Sequence, residues 1–129
     1  MIKKGFTLLE MLVVIGIVAI LVTLGFASYS TVQKKARDAK RQGDLKAAQQ
    51  VMEQCYSVNN FQYPIIGYVG DGVLNATCPA PNNSITFTIV DPLNTGTYIY
   101  NRVSSTTSYV ITAPDLETST TNFFVENQQ

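Results

Sequence analysis

The chain has 129 residues, 46% of them hydrophobic, and its nine basic and nine acidic side chains leave no net charge. This length suits one domain, and the hydrophobic content argues against a disordered polymer. We do not expect an enzyme, because there is no histidine, the commonest general acid or base near neutral pH, and two cysteines are too few for a four-cysteine zinc site.

The first predicted element is a helix that spans a membrane. Residues 11–27 include no charged side chain, and with residues 6–9 the apolar stretch approaches the ~20 residues that cross a hydrocarbon layer of ~30 Å. Apolar side chains surround this helix on all sides, and glycines such as Gly16 and Gly25 are common in membrane helices. The alternative is a helix buried in the core of a soluble protein.

An amphipathic pattern begins at Ser28 and continues the same helix to Tyr56, since no proline interrupts residues 6–56. Small and apolar residues recur, mostly at intervals of three and four, and predict the face of this stem helix that packs on another element. That face consists of Val32, Ala36, Ala39, Gly43, Ala48, Met52 and Cys55.

Charge divides the stem from the rest of the chain. Residues 28–46 include six basic and two acidic side chains, whereas residues 47–129 include one basic and six acidic ones. The pattern predicts a basic stem and an acidic head, with the basic cluster of residues 34–46 on the solvated face of the helix. A basic cluster can bind nucleic acid, but lipid headgroups or the acidic heads of neighbouring molecules are the partners that we favour.

The remaining residues predict a loop region followed by a small sheet. Asparagines, glycines and prolines punctuate residues 57–83, which we expect to be irregular. Alternating apolar residues then predict one antiparallel sheet of three or four strands within residues 84–129, with the stem helix covering its apolar face. The expected fold class is therefore α+β. The predicted strands span residues 85–90, 97–103, 108–113 and 123–125.

The two cysteines are placed to join the helix to the loop region. Cys55 is near the end of the stem helix, and Cys78 follows it after 22 intervening residues. A disulfide between them would tie the loop to the helix and stabilise the fold by roughly 3 kcal/mol through loop closure. Two free buried thiols are the alternative.

A charged N-terminal region before an apolar run is typical of a secretory signal peptide. Gly25 and Ala27 are small enough for the ordinary signal peptidase, which would release a secreted domain that begins at Ser28. Two features argue against this alternative. Glu10 lies within the apolar run, and the helical pattern continues through the proposed cleavage point.

The segment KKGFTLLEMLVV at residues 3–14 closely resembles the class III signal peptide of type IV pilins and type II secretion pseudopilins. In that family a membrane peptidase cuts between the glycine and the following aromatic residue, on the cytoplasmic side, and methylates the new amine. The resemblance implies that prepilin peptidase cuts between Gly5 and Phe6. Residues 1–5 would then be a leader peptide, and Phe6 would be the N-methylated terminus of the mature chain.

Glu10 matches the acidic residue at the fifth mature position of the family. An ionised carboxylate near the centre of a membrane helix costs about 2.5–3.5 kcal/mol on insertion scales, so it needs a partner. The resemblance implies that this partner is the amine of Phe6 on an adjacent subunit. Alternatively, Glu10 lies near the headgroups and extends toward water. Ala27 stands where many members have proline, so Gly25 alone could weaken the helix there.

The resemblance implies a pilin-like fold and a structural role. The chain would be a bacterial type IV pilus subunit with a filament-core helix at residues 6–27 and a stem helix at residues 28–56. It would cross the inner membrane once before an assembly platform adds it, with copies of itself and related pilins, to an extracellular or periplasmic filament. The alternatives are a major type II secretion pseudopilin and, from another class, a monomeric membrane-tethered binding domain.

Calcium is the one cofactor that the resemblance raises, since major pseudopilins hold calcium in the head. Acidic residues on loops are the candidate ligands, although their spacing fits no EF-hand and turn formation is their default role. The candidates are Asp71, Asp91 and Asp115.

Overall fold

The computed structural model describes residues 5–129, which include one long helix and six short strands. The predicted leader, residues 1–5, lies outside the described residues apart from Gly5. The chain divides into two units, Met1–Lys34 and Lys35–Gln129, and helix α1 contributes to both. The elements in chain order are α1 (Leu8–Val58), β1 (Gly67–Tyr68), β2 (Val73–Thr77), β3 (Thr86–Val90), β4 (Asn101–Ser104), β5 (Tyr109–Ala113) and β6 (Phe123–Glu126).

In the first unit, α1 exposes its apolar side chains. By length and composition α1 can cross a membrane: its most apolar stretch of 18 residues has a mean hydropathy of 2.7, and none of it is buried. A helix in the core of a soluble protein would be mostly buried, so the core-helix alternative does not fit the described structure. The helix continues through Gly25 without a break. The suggestion that Gly25 weakens the helix inside a filament stays a prediction.

The strands form two antiparallel sheets of three strands each. One sheet has the order β1-β2-β3 and the other the order β4-β5-β6. The α+β prediction is confirmed, but the prediction of a single sheet is wrong. The reason lies between β3 and β4, where Asn94 and Gly96 adopt positive φ angles of 45° and 59° and Tyr98 donates its N–H to the Thr95 carbonyl. This turn delays the strand predicted over 97–103 until Asn101, and β3 pairs with β2 instead.

The prediction that residues 57–83 are irregular is wrong over β1 and β2. In β2, Leu74 and Ala76 are buried while Asn75 between them is partly exposed, which is the alternation of a strand with one face in the core. Asparagine is uncommon in strands, so this short segment resembles a loop in sequence. The Asn75 amide donates to the Phe87 carbonyl and to Thr88 Oγ1, both at 3.0 Å, and this side chain thereby joins β2 to β3.

Both sheets contribute to one apolar core beneath α1. Phe87 and Ile89 point inward from β3, as the predicted alternation requires, and Tyr109 and Ile111 point inward from β5. Fully burying a side chain of this size is worth about 1.5–3 kcal/mol, so these contacts hold the sheets to the helix. The helix contributes Leu45, Ala48 and Met52 to the same core.

The buried face of α1 differs from the predicted face in its N-terminal half. Ala48, Met52 and Cys55 are buried as predicted, but Val32, Ala36, Ala39 and Gly43 are exposed. Side chains at intervals of three and four do form one buried face, and two of them carry charge. The buried residues of this face are Asp38, Arg41, Leu45, Ala48, Met52 and Cys55.

The predicted disulfide is confirmed. Cys55 and Cys78 are bonded, with a Cα–Cα distance of 5.7 Å, and both are almost fully buried. The bond joins the last turn of α1 to the segment that follows β2. The two residues beyond the helix that carry positive φ angles, Asn60 and Phe61, then turn the chain away from the helix axis.

Candidate functional site

The N-terminus of α1 is closed by a capping box between Thr7 and Glu10. The Thr7 N–H and hydroxyl donate to Glu10 Oε2 at 2.8 and 2.9 Å, and the Glu10 N–H donates to Thr7 Oγ1 at 3.2 Å. The reciprocal bonds satisfy two of the N–H groups that a helix start leaves without a partner. We did not predict this cap, although a threonine three residues before a glutamate is its sequence signature.

The cap leaves the predicted cleavage junction outside the helix. Gly5 and Phe6 are both exposed and non-helical, and the Phe6 side chain is 80% exposed. A side chain at Gly5 would meet nothing within 4 Å, so the fold itself imposes no need for glycine there. Cleavage between Gly5 and Phe6 stays a prediction.

Glu10 retains the capacity to bind a cation while it caps the helix. Both hydrogen bonds from Thr7 use the same carboxylate oxygen, Oε2. An ionised carboxylate offers about four lone-pair positions on its two oxygens. A second donor, such as an ammonium group, can therefore bind Glu10 without displacing Thr7.

Beyond the cap, α1 presents a continuous apolar surface. Large side chains from Leu8 to Phe26 are about half exposed or more. A shallow apolar groove lies at Gly25, between Val22, Phe26 and Tyr29. Apart from the neighbouring residues and the backbone of its own helix, nothing lies within 4 Å of where a Gly25 side chain would begin, so this groove is open to another molecule.

In the second unit, Arg41 occupies a polar site that we did not predict. Its Nε donates to Asp91 Oδ2 at 2.6 Å, and both side chains are fully buried. Its Nη1 and Nη2 donate to the carbonyls of Asp115 and Pro114 at 3.1 and 2.5 Å. The guanidinium carbon lies 5.4 Å from the centroid of the Tyr98 ring, within range of a cation–π contact. Each of the three guanidinium nitrogens of Arg41 therefore donates a hydrogen bond to the head.

Asp38 and Arg37 hold the next residues of the same segment. Asp38 accepts the N–H groups of Glu117 and Thr118, both at 2.9 Å, and the Thr118 hydroxyl at 2.6 Å. Burial opposes ionisation of Asp38, but these hydrogen bonds and the nearby Arg41 outweigh it and lower the pKa below its ordinary value. Arg37 pairs with both oxygens of Glu117, and this bidentate contact raises the pKa of Arg37.

The expectation that residues 34–46 present their cations to solvent is therefore wrong for Arg41, while Arg37 is partly exposed and pairs with Glu117. Lys34, Lys35 and Lys40 are exposed, as expected. Apolar periodicity assigns every charge to the solvated face, and it misses a cation that is buried because it has complementary partners. The signal in the sequence was the spacing of Asp38 and Arg41, which continues the interval of Leu45 and Ala48.

The three candidate calcium ligands do not form one metal site. Asp91 pairs with Arg41, and Asp115 donates its N–H to Asn122 Oδ1 and offers its carbonyl to the same arginine. Asp71 is exposed and accepts a hydrogen bond from Asn94 at its carbonyl. Among residues 5–129, no group of three or more acidic, cysteine or histidine residues is arranged to hold a metal ion.

Tyrosines pair with carboxylates along the remainder of the helix. Tyr63 and Tyr109 donate to Glu53, and Tyr100 donates to Asp44, at 3.0–3.1 Å. Burial, together with the adjacent carboxylate, raises the pKa of each tyrosine well above its ordinary value. These hydroxyls therefore stay protonated and structural near neutral pH.

Comparison with known proteins places the N-terminal segment in a family. The family model described as the prokaryotic N-terminal methylation motif matches residues 1–26, which include Gly5, Phe6 and Glu10. No curated protein and no solved structure matches the chain. The family match covers the apolar start of α1 and stops before the head, and it agrees with the resemblance drawn from residues 3–14. The chain therefore carries the class III signal peptide of type IV pilins and pseudopilins.

Proposed function

We propose that the protein is a structural subunit of a bacterial type IV pilus-family filament. Prepilin peptidase cuts between Gly5 and Phe6 and methylates Phe6, and an inner-membrane platform then adds the mature chain to the filament. The observation that carries this proposal is the methylation motif over residues 1–26, which continues directly into a helix with an exposed apolar surface.

The apolar surface of α1 gives the proposal its physical basis. Exposed leucine, isoleucine and valine side chains are disfavoured in water by about 1.5–3 kcal/mol each relative to burial, so this surface needs a membrane or another protein. In a bilayer, lipid tails satisfy the same surface, and helices associate there through close packing and polar contacts instead. A filament replaces the lipid with the α1 helices of neighbouring copies.

Glu10 supplies the polar contact in this proposal. In a single chain its carboxylate is held by Thr7, which keeps the charge partly satisfied within the membrane. Cleavage creates an ammonium group at Phe6. This group can donate hydrogen bonds to the lone pairs of the Glu10 carboxylate that Thr7 leaves unoccupied. Because water is excluded from a helix bundle, such a pair is stronger there than at a protein surface and sets the axial position of the incoming subunit.

A major pseudopilin of type II secretion would carry the same signal, helix and contacts. The place of the filament separates the two, since a pilus extends from the cell surface and a pseudopilus stays in the periplasm.

The test is filament formation in the bacterium that makes the protein. We expect antibody to the head to label surface filaments, which shearing releases, and Gly5→Leu to leave the precursor uncut and abolish them. Gly16→Leu is the matched control for cleavage alone: it adds the same side chain at another exposed glycine, away from the junction, and should leave the precursor cut. Periplasmic filaments would indicate the pseudopilin. Cut, membrane-bound protein without filaments would indicate a tethered monomer, and soluble protein that begins at Ser28 would contradict the proposal.

A further inference from the structure

Three oxygen atoms from two separate connections converge on the guanidinium of Arg41. Asp91 directly follows β3, and Pro114 and Asp115 directly follow β5. The two strands belong to different sheets, which form no ladder with each other. Arg41 contacts Asp91 Oδ2 and the carbonyls of Pro114 and Asp115, so this one side chain holds the ends of both sheets to α1.

The chemistry of the three oxygens is that of a cation site. Two backbone carbonyls and one carboxylate carry partial and full negative charge, and they are the ligand types that hard cations prefer. Here the cation is part of the chain, and it is planar, permanently charged and shaped to donate several hydrogen bonds in one plane. Asp91 Oδ1 is used separately, since it accepts the Leu93 N–H at 3.0 Å.

The site is also closed and electrically balanced. Arg41 and Asp91 have fully buried side chains, and the Tyr98 ring lies beside the guanidinium. Asp115 adopts a φ of 48°, a region that a residue other than glycine rarely occupies without supporting contacts. Two residues further along, Glu117 pairs with Arg37 and donates its N–H to Asp38. Polar contacts therefore hold the segment 114–118 to the helix.

We propose that Asp91, Pro114 and Asp115 form a guanidinium-binding cradle and that Arg41 is its resident cation, which anchors the head to α1 without a metal ion. The proposal does not depend on filament formation. It predicts that the cradle binds a free alkylguanidinium ion when the Arg41 side chain is removed.

The test uses full-length protein in detergent micelles and the variant Arg41→Ala. Ethylguanidinium is the probe, because it is the fragment that this substitution removes. Leaving the Asp91 charge buried without its partner should lower the melting temperature of the head by on the order of 10–20 °C. Ethylguanidinium at about 10 mM, far below denaturing concentrations, should restore much of this loss with saturable dependence on its concentration.

Three controls make the result specific. Lys40→Ala removes an exposed cation beside Arg41 and should neither lower the melting temperature nor respond to the probe. Ethylammonium has the charge but not the planar donors, so it should restore much less. The melting temperature of the unmodified protein should be the same with calcium as with a chelator.

The proposal is overturned if ethylguanidinium gives no recovery, if ethylammonium or calcium restores the variant equally well, or if a chelator destabilises the unmodified protein. Should Arg41→Ala fail to fold even with the probe, Arg41→Lys provides the decision by hydrogen exchange. The lysine variant should exchange the amides of residues 115–118 faster than the unmodified protein, while those of β1 and β2 exchange at unchanged rates. Equal exchange in residues 115–118 would also overturn the proposal.

Discussion

Replacing Asp38 with asparagine should loosen the contact between the head and α1. The Asp38 carboxylate accepts three hydrogen bonds, one at Oδ1 and two at Oδ2, from Glu117 and Thr118. Asparagine has one acceptor oxygen, so its amide group must face at least one backbone N–H. A hydrogen bond to a charged group contributes about 1.5–3 kcal/mol, and an unsatisfied buried donor costs about 1–3 kcal/mol.

We therefore expect Asp38→Asn to reduce the free energy of unfolding by about 3 kcal/mol. For a unit of this size, that loss lowers the melting temperature by on the order of 10–20 °C. Thermal unfolding of full-length protein in detergent, followed by near-ultraviolet circular dichroism, measures it. Asp71→Asn is the matched control, because Asp71 is exposed, and it should change stability by less than about 0.5 kcal/mol.

The dependence on pH gives a second measure of the same contact. The pKa of Asp38 is lowered from an ordinary value of 3.8, so the folded state prefers the ionised form. Its contribution to stability is complete above pH 3.8 and is lost as the pH falls through the folded-state pKa. The difference in the free energy of unfolding between the unmodified protein and Asp38→Asn should therefore become smaller as the pH falls below 3.8. An Asp38→Asn protein as stable as Asp71→Asn at neutral pH would refute the reasoning.

Three further predictions concern the helix start and the disulfide. Glu10→Gln should mature normally but form few filaments at matched membrane levels, because it leaves the Phe6 amine without an ionic partner. Glu10→Leu should insert into the membrane at least as well, yet it should also assemble poorly. Normal filament yields from both variants would limit Glu10 to an interfacial role. Thr7→Val removes the hydroxyl of the cap and should lower filament yield, whereas Thr7→Ser should retain it; equal yields would mean that the cap has no part in assembly. Cys55→Ala with Cys78→Ala should lower the free energy of unfolding by roughly 3 kcal/mol in chemical denaturation, and an unchanged denaturation midpoint would contradict this.

The signal segment and the disulfide could both be predicted from the sequence, because neither depends on knowing the fold. The run from Lys3 to Val14 resembles one family's signal, and two cysteines permit one pairing. The α+β class also followed from periodicity, since Phe87 and Ile89 alternate with Thr86, Thr88 and Val90, and the helix lacks proline.

The features that could not be predicted from the sequence depend on contacts between residues that are far apart in the chain. Arg41 is buried only because Asp91 and two carbonyls, far away in the sequence, surround it. Strand β2 was hidden because its central Asn75 is unfavourable in strands, and its partner β3 stabilises it through the amide. The cap at Thr7 and Glu10 differs from these cases, because its spacing was visible and could have been used.

The most direct test of the proposed function is the intact mass of the subunit recovered from purified surface filaments. Cleavage after Gly5, methylation of Phe6 and the bond between Cys55 and Cys78 predict the mass of residues 6–129 with one amine hydrogen replaced by a methyl group and with two thiol hydrogens lost. Tandem mass spectrometry should place the methyl group on the Phe6 amine. Filaments built from chains that retain residues 1–5, or that begin at Ser28, would contradict the account.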